Sequence, residues 1–401
     1  SSGVFTGQGS SSPLFFVHLQ QIIKNDTILR TKAIFIFAFA MLVAANASAQ
    51  EKKPIDHPVY DSWESLSGVS VPYNGQYILY SVNKQQGDGT LYLYDLKSKG
   101  QTEIPRGKSA VLSQDNKTLL YRVAPLYEQT REAKIKKKKG DDMPKDTLVI
   151  LNLKSGEKSL YPRLQSVKYP DELGEYVAFQ TTPEPSKDKK GKQDKSSGTP
   201  LYLMNVNKST IDTIGIVEKY SFDNDGKYLA YITKPGKKDS VNTRALVIRD
   251  LKTNITATVI SGDKKIKLEL PVFDESAPRI AFYGQTDTTK EGLKYSDIYL
   301  YDIAAKKCEK LITKEMDGIK DGWMIGPKRV LKFAPKENSH SANGGVLWFG
   351  IKPIPQEQDT TIAEFERVKL DIWRWNADYL PTVEAVRKSE FENKSYLTAY
   401  Y

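Results

Sequence analysis

Cysteine and histidine are scarce in this sequence. Its 401 residues include one cysteine, Cys308, and three histidines, His18, His57 and His340. A single cysteine excludes an intrachain disulfide, and a thiolate metal site needs several cysteines or histidines at short spacing. The sequence therefore predicts no metal site and no other cofactor, and it leaves few candidates for histidine-dependent catalysis.

Motifs of the common catalytic sites are also absent. The sequence has no Gly-x-Ser-x-Gly, no His-Glu-x-x-His, no Walker loop and no dinucleotide-binding fingerprint. His340 lies in a polar loop, where a solvated side chain is more common than a general base oriented by an acid. The acidic residues Asp141, Asp142, Asp223 and Asp225 fit turns, without the regular loop of a calcium site. We therefore predict no catalytic residue in this chain.

Positive charge is in excess, with a formal net charge of +10 and a pI near 9.1. Much of this excess lies in two polar stretches, Lys134 to Lys145 and Pro185 to Ser197. A polyanion-binding patch is one interpretation of them. Lysine-, glycine- and serine-rich runs bury little apolar surface, however, and no aromatic residues interleave these lysines as in a nucleic-acid stacking surface. We expect solvated, mobile insertions and no nucleic-acid partner.

A secretory signal peptide is predicted over residues 24–49. Positively charged residues precede a 13-residue apolar segment, 33–45, which is shorter than the roughly 20 residues that span a membrane. Ala47 and Ala49 form a small-x-small cleavage site, so the mature chain would begin at Gln50. The sequence therefore predicts a periplasmic or secreted protein without stable membrane insertion after signal removal.

Both ends of the sequence are unusual. Residues 1–23 lack an initiator methionine and any periodicity, and we expect a disordered or spurious leader there. At the other end, Tyr396 to Tyr401 has the composition of a strand, which would present an unpaired edge if nothing followed it. The expectation is a domain over residues 50–401 that is the N-terminal part of a longer protein.

A degenerate repeat runs through the sequence. Each copy has a short apolar strand containing an aromatic residue, followed by a second strand that ends in Asp or Asn. The aromatic markers are Tyr80, Tyr121, Phe179, Tyr231, Phe282 and Phe349, and the polar markers are Asp95, Asn152, Asn205, Asp250, Asp302 and Asn376. The two series have the same number of members and similar spacing, near fifty residues, which is typical of propeller blades.

The composition of the repeats supports blades. In Leu91 to Tyr94 successive side chains are apolar or aromatic, as expected for strands that are covered on both faces. The Asn74-Gly75 and Asp225-Gly226 pairs supply the positive φ that tight hairpin turns require. The sequence therefore predicts an all-β fold, a β-propeller of about six to seven four-stranded blades.

Two further features lie near the C-terminus. A short helix is predicted from Thr382, its expected N-cap, through Phe391, with Glu384 in the first turn. Just before it, Trp373 and Trp375 stand at alternate positions of an apparent strand. A sugar or peptide platform is one interpretation of the two tryptophans, and packing between blades is the favoured one.

The DGKYLAY and DIYLYD phrases, the signal segment and the stretch from Lys369 to Tyr401 together carry a likeness. Residues 50–401 resemble the N-terminal half of secreted bacterial serine peptidases of the prolyl oligopeptidase group, in particular long forms from Bacteroides-like organisms. The stretch Lys369 to Trp375 and the helix-like segment after it are the most specific part of the resemblance.

The resemblance implies different roles for two domains. In that family an α/β-hydrolase domain holds the catalytic triad and cleaves short peptides, and the propeller filters substrates by size. Here the hydrolase domain would begin beyond Tyr401, so no catalytic residue transfers to this chain. Two alternatives remain open: a non-enzymatic periplasmic binding or scaffold propeller of the Tol-associated type, and a glycan-cleaving propeller with paired carboxylates about 5–10 Å apart.

Overall fold

A computed structural model describes eight segments of the chain, namely residues 57–72, 75–182, 199–234, 243–287, 294–335, 345–355, 363–366 and 372–401. The chain divides into two compact units, residues 1–62 and 63–401. In the first unit the described residues include a four-residue helix, α1 (His57–Tyr60). The predicted leader, the signal segment and the cleavage-site residues Ala47, Ala49 and Gln50 lie outside the described residues.

The second unit is built from antiparallel sheets that follow one another in chain order, numbered here as blades. Blade 1 contains β1 (Glu64–Ser70), β2 (Tyr77–Lys84), β3 (Thr90–Asp95) and β4 (Gln101–Pro105). Blade 2 contains β5 (Gly107–Leu112), β6 (Thr118–Val123), β7 (Thr147–Asn152) and β8 (Lys158–Tyr161). Blade 3 contains β9 (Leu164–Lys168), β10 (Tyr176–Thr181), β11 (Pro200–Asn205) and the first part of β12 (Thr210–Phe222).

The same pattern continues through three more blades. Blade 4 contains the rest of β12, then β13 (Tyr228–Thr233), β14 (Thr243–Asp250) and β15 (Thr256–Asp263). Blade 5 contains β16 (Lys267–Leu268), β17 (Val272–Phe273), β18 (Arg279–Gln285), β19 (Asp297–Asp302) and β20 (Lys307–Ile312). Blade 6 contains β21 (Trp323–Ile325), β22 (Lys332–Phe333), β23 (Leu347–Pro353) and β24 (Tyr396–Tyr400).

Helices occur only between strands in the described part of this unit. They are α2 (Tyr127–Ile135), between β6 and β7, and α3 (Pro381–Glu392), before β24. Short 3₁₀ turns cover Gly140–Asp142 and Glu364–Glu366.

Each blade packs against the next one in the chain. Leu79 and Leu91 of blade 1 share a buried cluster with Leu119 of blade 2, and Leu120 of blade 2 joins Phe179 of blade 3. The later contacts pair Leu203 with Leu229, Ile248 with Phe282, and Ala281 with Phe333. Sheets that bury apolar side chains against both neighbours are the blades of a β-propeller, and the predicted fold class is confirmed.

Both sequence markers have a physical basis. The aromatic residues lie on the second strand of each blade, where Phe179 and Phe282 are fully buried. The polar residues hold the turn between the third and fourth strands: Asp95 Oδ1 accepts a hydrogen bond from the Lys97 backbone N–H at 2.9 Å, and Asn152 Oδ1 accepts one from Lys154 at 3.0 Å. Asn205 and Asp250 accept the same bond, and Asp302 accepts one from the backbone N–H three residues further on.

The sixth polar marker departs from this pattern. Asn376 lies in a turn outside the strands, and the third strand of blade 6 is β24. The preceding tryptophans are therefore not sheet residues, and the predicted packing between blades is wrong for them. Trp373 is 68% exposed and Trp375 is 98% exposed.

The predicted C-terminal helix is present, with a different start. Helix α3 begins at Pro381 after Leu380, and no side chain caps its first turn, so the expected cap at Thr382 is wrong. Proline already has the φ of a first helical residue and lacks the N–H that a cap would satisfy. Glu384 lies in the first turn as predicted.

The first lysine-rich insertion, Lys134 to Lys145, follows helix α2 and shares only its first two residues with it. The carboxylate of Asp88, in the loop between β2 and β3, accepts a hydrogen bond from the Tyr127 backbone N–H at 2.8 Å. Ala133 of the helix is 4% exposed. The helix is therefore anchored to blade 1, and the lysines from 136 to 139 that follow it are exposed to solvent, as expected. The second insertion, Pro185 to Ser197, lies outside the described residues.

A glycine in a turn of blade 4 sets how closely blades 3 and 4 approach. Gly226 has a φ of +71°, and a Cβ there would stand 2.7 Å from Cγ of Pro170 in blade 3. We expect Gly226→Ala to lower the free energy of unfolding by about 1–3 kcal/mol, measured by urea denaturation.

Gly156→Ala is the matched control for this substitution. Gly156 has a similar φ of +74°, but an added Cβ there would meet nothing within 4 Å. Its effect should be about 1 kcal/mol, the cost of the positive φ alone, and Gly226→Ala should exceed it. Equal effects of the two substitutions would show that the contact with Pro170 is not limiting.

Candidate functional site

The candidate catalytic residues do not assemble into a site in the described residues. His57 lies in helix α1 of the first unit, and His340 lies outside the described residues. Cys308 lies half-buried on β20, where burial and the nearby charge of Glu309 raise the pKa of its thiol. A raised thiol pKa disfavours the nucleophilic thiolate. Cys308 therefore acts as a packing residue.

Acidic residues concentrate on the turns between the first and second strands of the blades. A cavity of about 570 Å³ lies between the turn 223–228 of blade 4 and the turn 274–279 of blade 5. A second cavity of about 590 Å³ lies between blade 3 and blade 4, and Asp225 lines both. Pro170, Glu172 and Glu175 line the second one from blade 3.

The most buried carboxylates in the first cleft hold their own turns. Asp223 Oδ1 accepts a hydrogen bond from the Tyr228 backbone N–H at 2.8 Å. Asp274 accepts hydrogen bonds from the Ser276 backbone N–H at 2.8 Å and from Arg279 Nε at 2.7 Å. Burial raises the pKa of Asp223, and the backbone hydrogen bonds oppose that shift. These contacts give both residues a structural role.

A polar cluster of Ser166, Gln180 and Tyr220 joins blade 3 to blade 4. The Ser166 and Tyr220 hydroxyl groups lie 2.7 Å apart, and Ser166 donates to Gln180 Oε1 at 3.2 Å. Gln180 Nε2 in turn donates to the Val217 carbonyl of blade 4 at 2.9 Å. Gln180 is 3% exposed, so its amide needs these partners. The cluster fastens two blades together.

Positive charge lies beside this cluster. The Lys168 ammonium stands 5.6 Å from the centre of the Tyr220 ring, and burial lowers the pKa of Lys168. Burial raises the pKa of Tyr220 to about 12, against smaller lowering effects from the Ser166 hydrogen bond and the charge of Arg122. The phenol therefore stays protonated throughout the neutral range and remains able to donate a hydrogen bond.

The Tyr220 shift predicts a loss of stability at high pH. Because the folded-state pKa is about 12 and the ordinary value is 10.0, the unfolded chain releases its proton first as pH rises. Stability from this group is complete below pH 10 and is lost as pH approaches 12, by up to about 2–3 kcal/mol. Urea denaturation at a series of pH values measures it.

Tyr220→Phe provides the control, because other buried tyrosines also titrate in this range. Between neutral and alkaline pH, the free energy of unfolding of the variant is expected to fall by about 2–3 kcal/mol less than that of the wild type. Parallel curves for the two proteins would contradict the assignment.

Neither this cluster nor the Asp274–Arg279 pair is predicted from the sequence. One signal was present: Gln180 interrupts the apolar strand Tyr176 to Thr181. A polar amide inside a buried strand requires partners from a neighbouring element. The signal indicates burial with hydrogen bonding, but it does not identify the partner.

No group of three or more His, Cys, Asp and Glu side chains suited to a metal ion occurs within the described ranges. In the same ranges, no helix is long and apolar enough to cross a membrane.

No family model and no curated protein matches this chain. Among solved structures it is similar to an oligogalacturonate lyase in complex with manganese, at 14% identity and a TM-score of 0.33, over 72% of this chain and 73% of that chain. It is similar to the β-propeller domain of the Trilobed protease from Pyrococcus furiosus, at 13% identity and a TM-score of 0.36, over 74% and 86%.

An acylaminoacyl peptidase from Pyrococcus horikoshii is also similar, at 10% identity and a TM-score of 0.37, over 72% of this chain. The alignment spans only 43% of that peptidase. Identities and TM-scores at this level assign no activity, metal or substrate to the present chain.

Proposed function

We propose that this chain is the β-propeller part of a secreted serine peptidase resembling the prolyl oligopeptidases. The propeller would restrict access to an α/β-hydrolase domain encoded after Tyr401, and short peptides would be the substrates. Catalysis would belong to that second domain, and the propeller would select by size.

One observation carries the proposal: the resembling stretch from Lys369 to Tyr401 ends in β24, the third strand of blade 6. Strand β24 pairs antiparallel with β23 over five residue pairs, from Leu347 with Tyr400 to Ile351 with Tyr396. Helix α3 leads directly into β24. The helix and strand at the end of the resembling stretch are thus continuous with the propeller, as expected where a propeller precedes another domain.

Hydrogen bonds between blades support a role as a fixed barrier. The Tyr176 hydroxyl donates to the Leu251 carbonyl at 3.1 Å, from blade 3 to blade 4. The Tyr283 hydroxyl donates to the Arg329 carbonyl at 3.1 Å and accepts from the Gly350 N–H at 3.4 Å, which joins blade 5 to blade 6. Buried side chains that bond across blades resist their separation.

The coding sequence downstream of Tyr401 provides the direct test. We expect it to encode a Gly-x-Ser-x-Gly elbow followed by an aspartate and a histidine in the order of α/β-hydrolases. The longer protein should react with a fluorophosphonate probe, and residues 1–401 alone should not. A reading frame that closes soon after Tyr401, together with a stable protein partner, would support the scaffold alternative instead.

Export is tested separately. If residues 24–49 are a cleaved signal, mass spectrometry of the protein from an envelope or secreted fraction should find Gln50 at its N-terminus. An N-terminus upstream of residue 33, with the protein in the cytoplasmic fraction, would contradict secretion.

A further inference from the structure

A run of lysines directly follows helix α2, and the start of that helix is fixed to blade 1. Its first N–H bonds to Asp88, and the Tyr127 hydroxyl donates to Gln86 at 3.4 Å, so blade 1 holds the start of the helix. Its last turn is closed by backbone bonds from Lys136 to the Glu132 carbonyl at 2.9 Å and from Lys138 to the Ala133 carbonyl at 3.0 Å. The residues that follow therefore have a defined position.

The lysine platform consists of Lys134, Ile135 and the four lysines from 136 to 139. All six residues are exposed. Between Tyr127 and Lys139 the sequence has six cations and two carboxylates, and two aspartates follow at 141 and 142. Among the described side chains only Lys136 of the platform is ion-paired, with Glu132. That hydrogen bond, together with the charge of Lys138, lowers the pKa of Glu132.

The platform has a definite place in the fold. It lies in the connection between the second and third strands of blade 2. In an antiparallel meander that connection is at the opposite end of the sheet from the turn between the third and fourth strands. Lysines in those opposite turns include Lys97, Lys154 and Lys208, all of them exposed. The chain thus supplies a matched set of lysines at the other end of its blades.

The chemistry of the platform suits an anionic lipid surface. Each lysine near such a surface contributes about 1 kcal/mol of attraction. Ile135 is 63% exposed among these charges, so an apolar side chain is available to enter the headgroup region. No aromatic residue stands among the platform lysines to stack on nucleotide bases. We propose that the lysine platform is a peripheral binding surface for membranes rich in anionic phospholipid.

Vesicle sedimentation with the full 401-residue chain tests this inference. The triple variant Lys137→Gln, Lys138→Gln, Lys139→Gln should reduce the partition coefficient for phosphatidylglycerol-containing vesicles about 100-fold at low salt. The variant Ile135→Ser should reduce binding about 5-fold and leave weaker residual binding at high salt. Every variant contains the same apolar segment at residues 33–45, so differences among them report the platform.

The control variant carries Lys97→Gln, Lys154→Gln and Lys208→Gln, which removes the same charge from the opposite ends of the blades. It should bind vesicles within about 3-fold of wild type, since these lysines cannot reach a surface together with the platform. Equal losses of vesicle binding in the two triple variants would overturn the inference, because binding would then depend on the net charge of the protein and not on the platform. Unchanged binding in the platform variant, or in Ile135→Ser, would overturn it as well, as would tighter binding to a single-stranded oligonucleotide than to the vesicles.

Discussion

Replacing Arg279 with Met is expected to lower the free energy of unfolding by about 3–5 kcal/mol. The side chain of its partner, Asp274, is fully buried, and the guanidinium Nε lies 2.7 Å from a carboxylate oxygen. Arg279 also stands 5.5 Å from the centre of the Phe333 ring in blade 6. Methionine keeps the aliphatic stem, so the loss of stability comes mainly from the buried Asp274 carboxylate left without its partner, with a smaller part from the lost Phe333 contact. Urea denaturation followed by tryptophan fluorescence measures it.

The neighbouring turn supplies a control for that substitution. Lys227 pairs with Asp225 at 2.7 Å, but both side chains are about two-thirds exposed. An exposed pair contributes about 0–1 kcal/mol, so Lys227→Met should have little effect. The double variant Arg279→Met, Asp274→Asn should recover part of the stability, because the buried charge is removed as well. An Arg279→Met variant as stable as Lys227→Met would refute this account.

Phe179→Ala is expected to cost a similar amount, about 3–5 kcal/mol. The Phe179 ring is fully buried between blades 2 and 3, with its centre 4.5 Å from that of Tyr161 and 5.4 Å from that of Tyr202. Its removal leaves a cavity that these two rings, one in blade 2 and one in blade 3, cannot fill without leaving their rotamers. The shift in the urea midpoint measures the effect.

Trp375→Ala is the contrasting control, because the sequence assigned this tryptophan a similar packing role. With 98% of its surface exposed, its removal should change stability by less than about 0.5 kcal/mol. A comparable loss in Trp375→Ala and Phe179→Ala would mean that Trp375 is covered in solution.

Much of the fold follows from the sequence, because the markers of the repeat have local causes. Asp95 and Asn152 end third strands since an Asx side chain bonds to backbone N–H groups two and three residues further on. The donor and the acceptor of such a bond lie within a few consecutive residues, so a short sequence pattern is enough to predict it. The burial of Phe179 follows from a strand that is apolar on both faces.

Where the sequence misled, the decisive partner was distant in the chain. Helix α2 was not predicted from the sequence, and it is held by Asp88, which lies 39 residues before Tyr127. The tryptophans Trp373 and Trp375 have the alternation of a strand, yet β24 takes the place in the sheet that such a strand would need. Alternation shows which residues could share a face, but not whether an edge is available for them.

The buried polar contacts between blades were the hardest to foresee. Gln180 is recognisable as unusual in its strand, but its partners Ser166 and Val217 belong to different strands and one lies in another blade. The pairing of Asp274 with Arg279 spans a single turn, and its importance depends on burial by the surrounding blades. Sequence patterns can mark these residues as unusual, but they do not show how much each contact contributes to the free energy of unfolding.

The thirteen-residue strand β12 has a consequence for how the domain unfolds. It pairs with β11 through its first half and with β13 through its second, so one uninterrupted strand belongs to two repeats. In a repeat array, local opening usually propagates one unit at a time through nearest-neighbour contacts. Blades 3 and 4 share a backbone, which raises their coupling above that of the other neighbours and makes the pair the natural cooperative unit of the array.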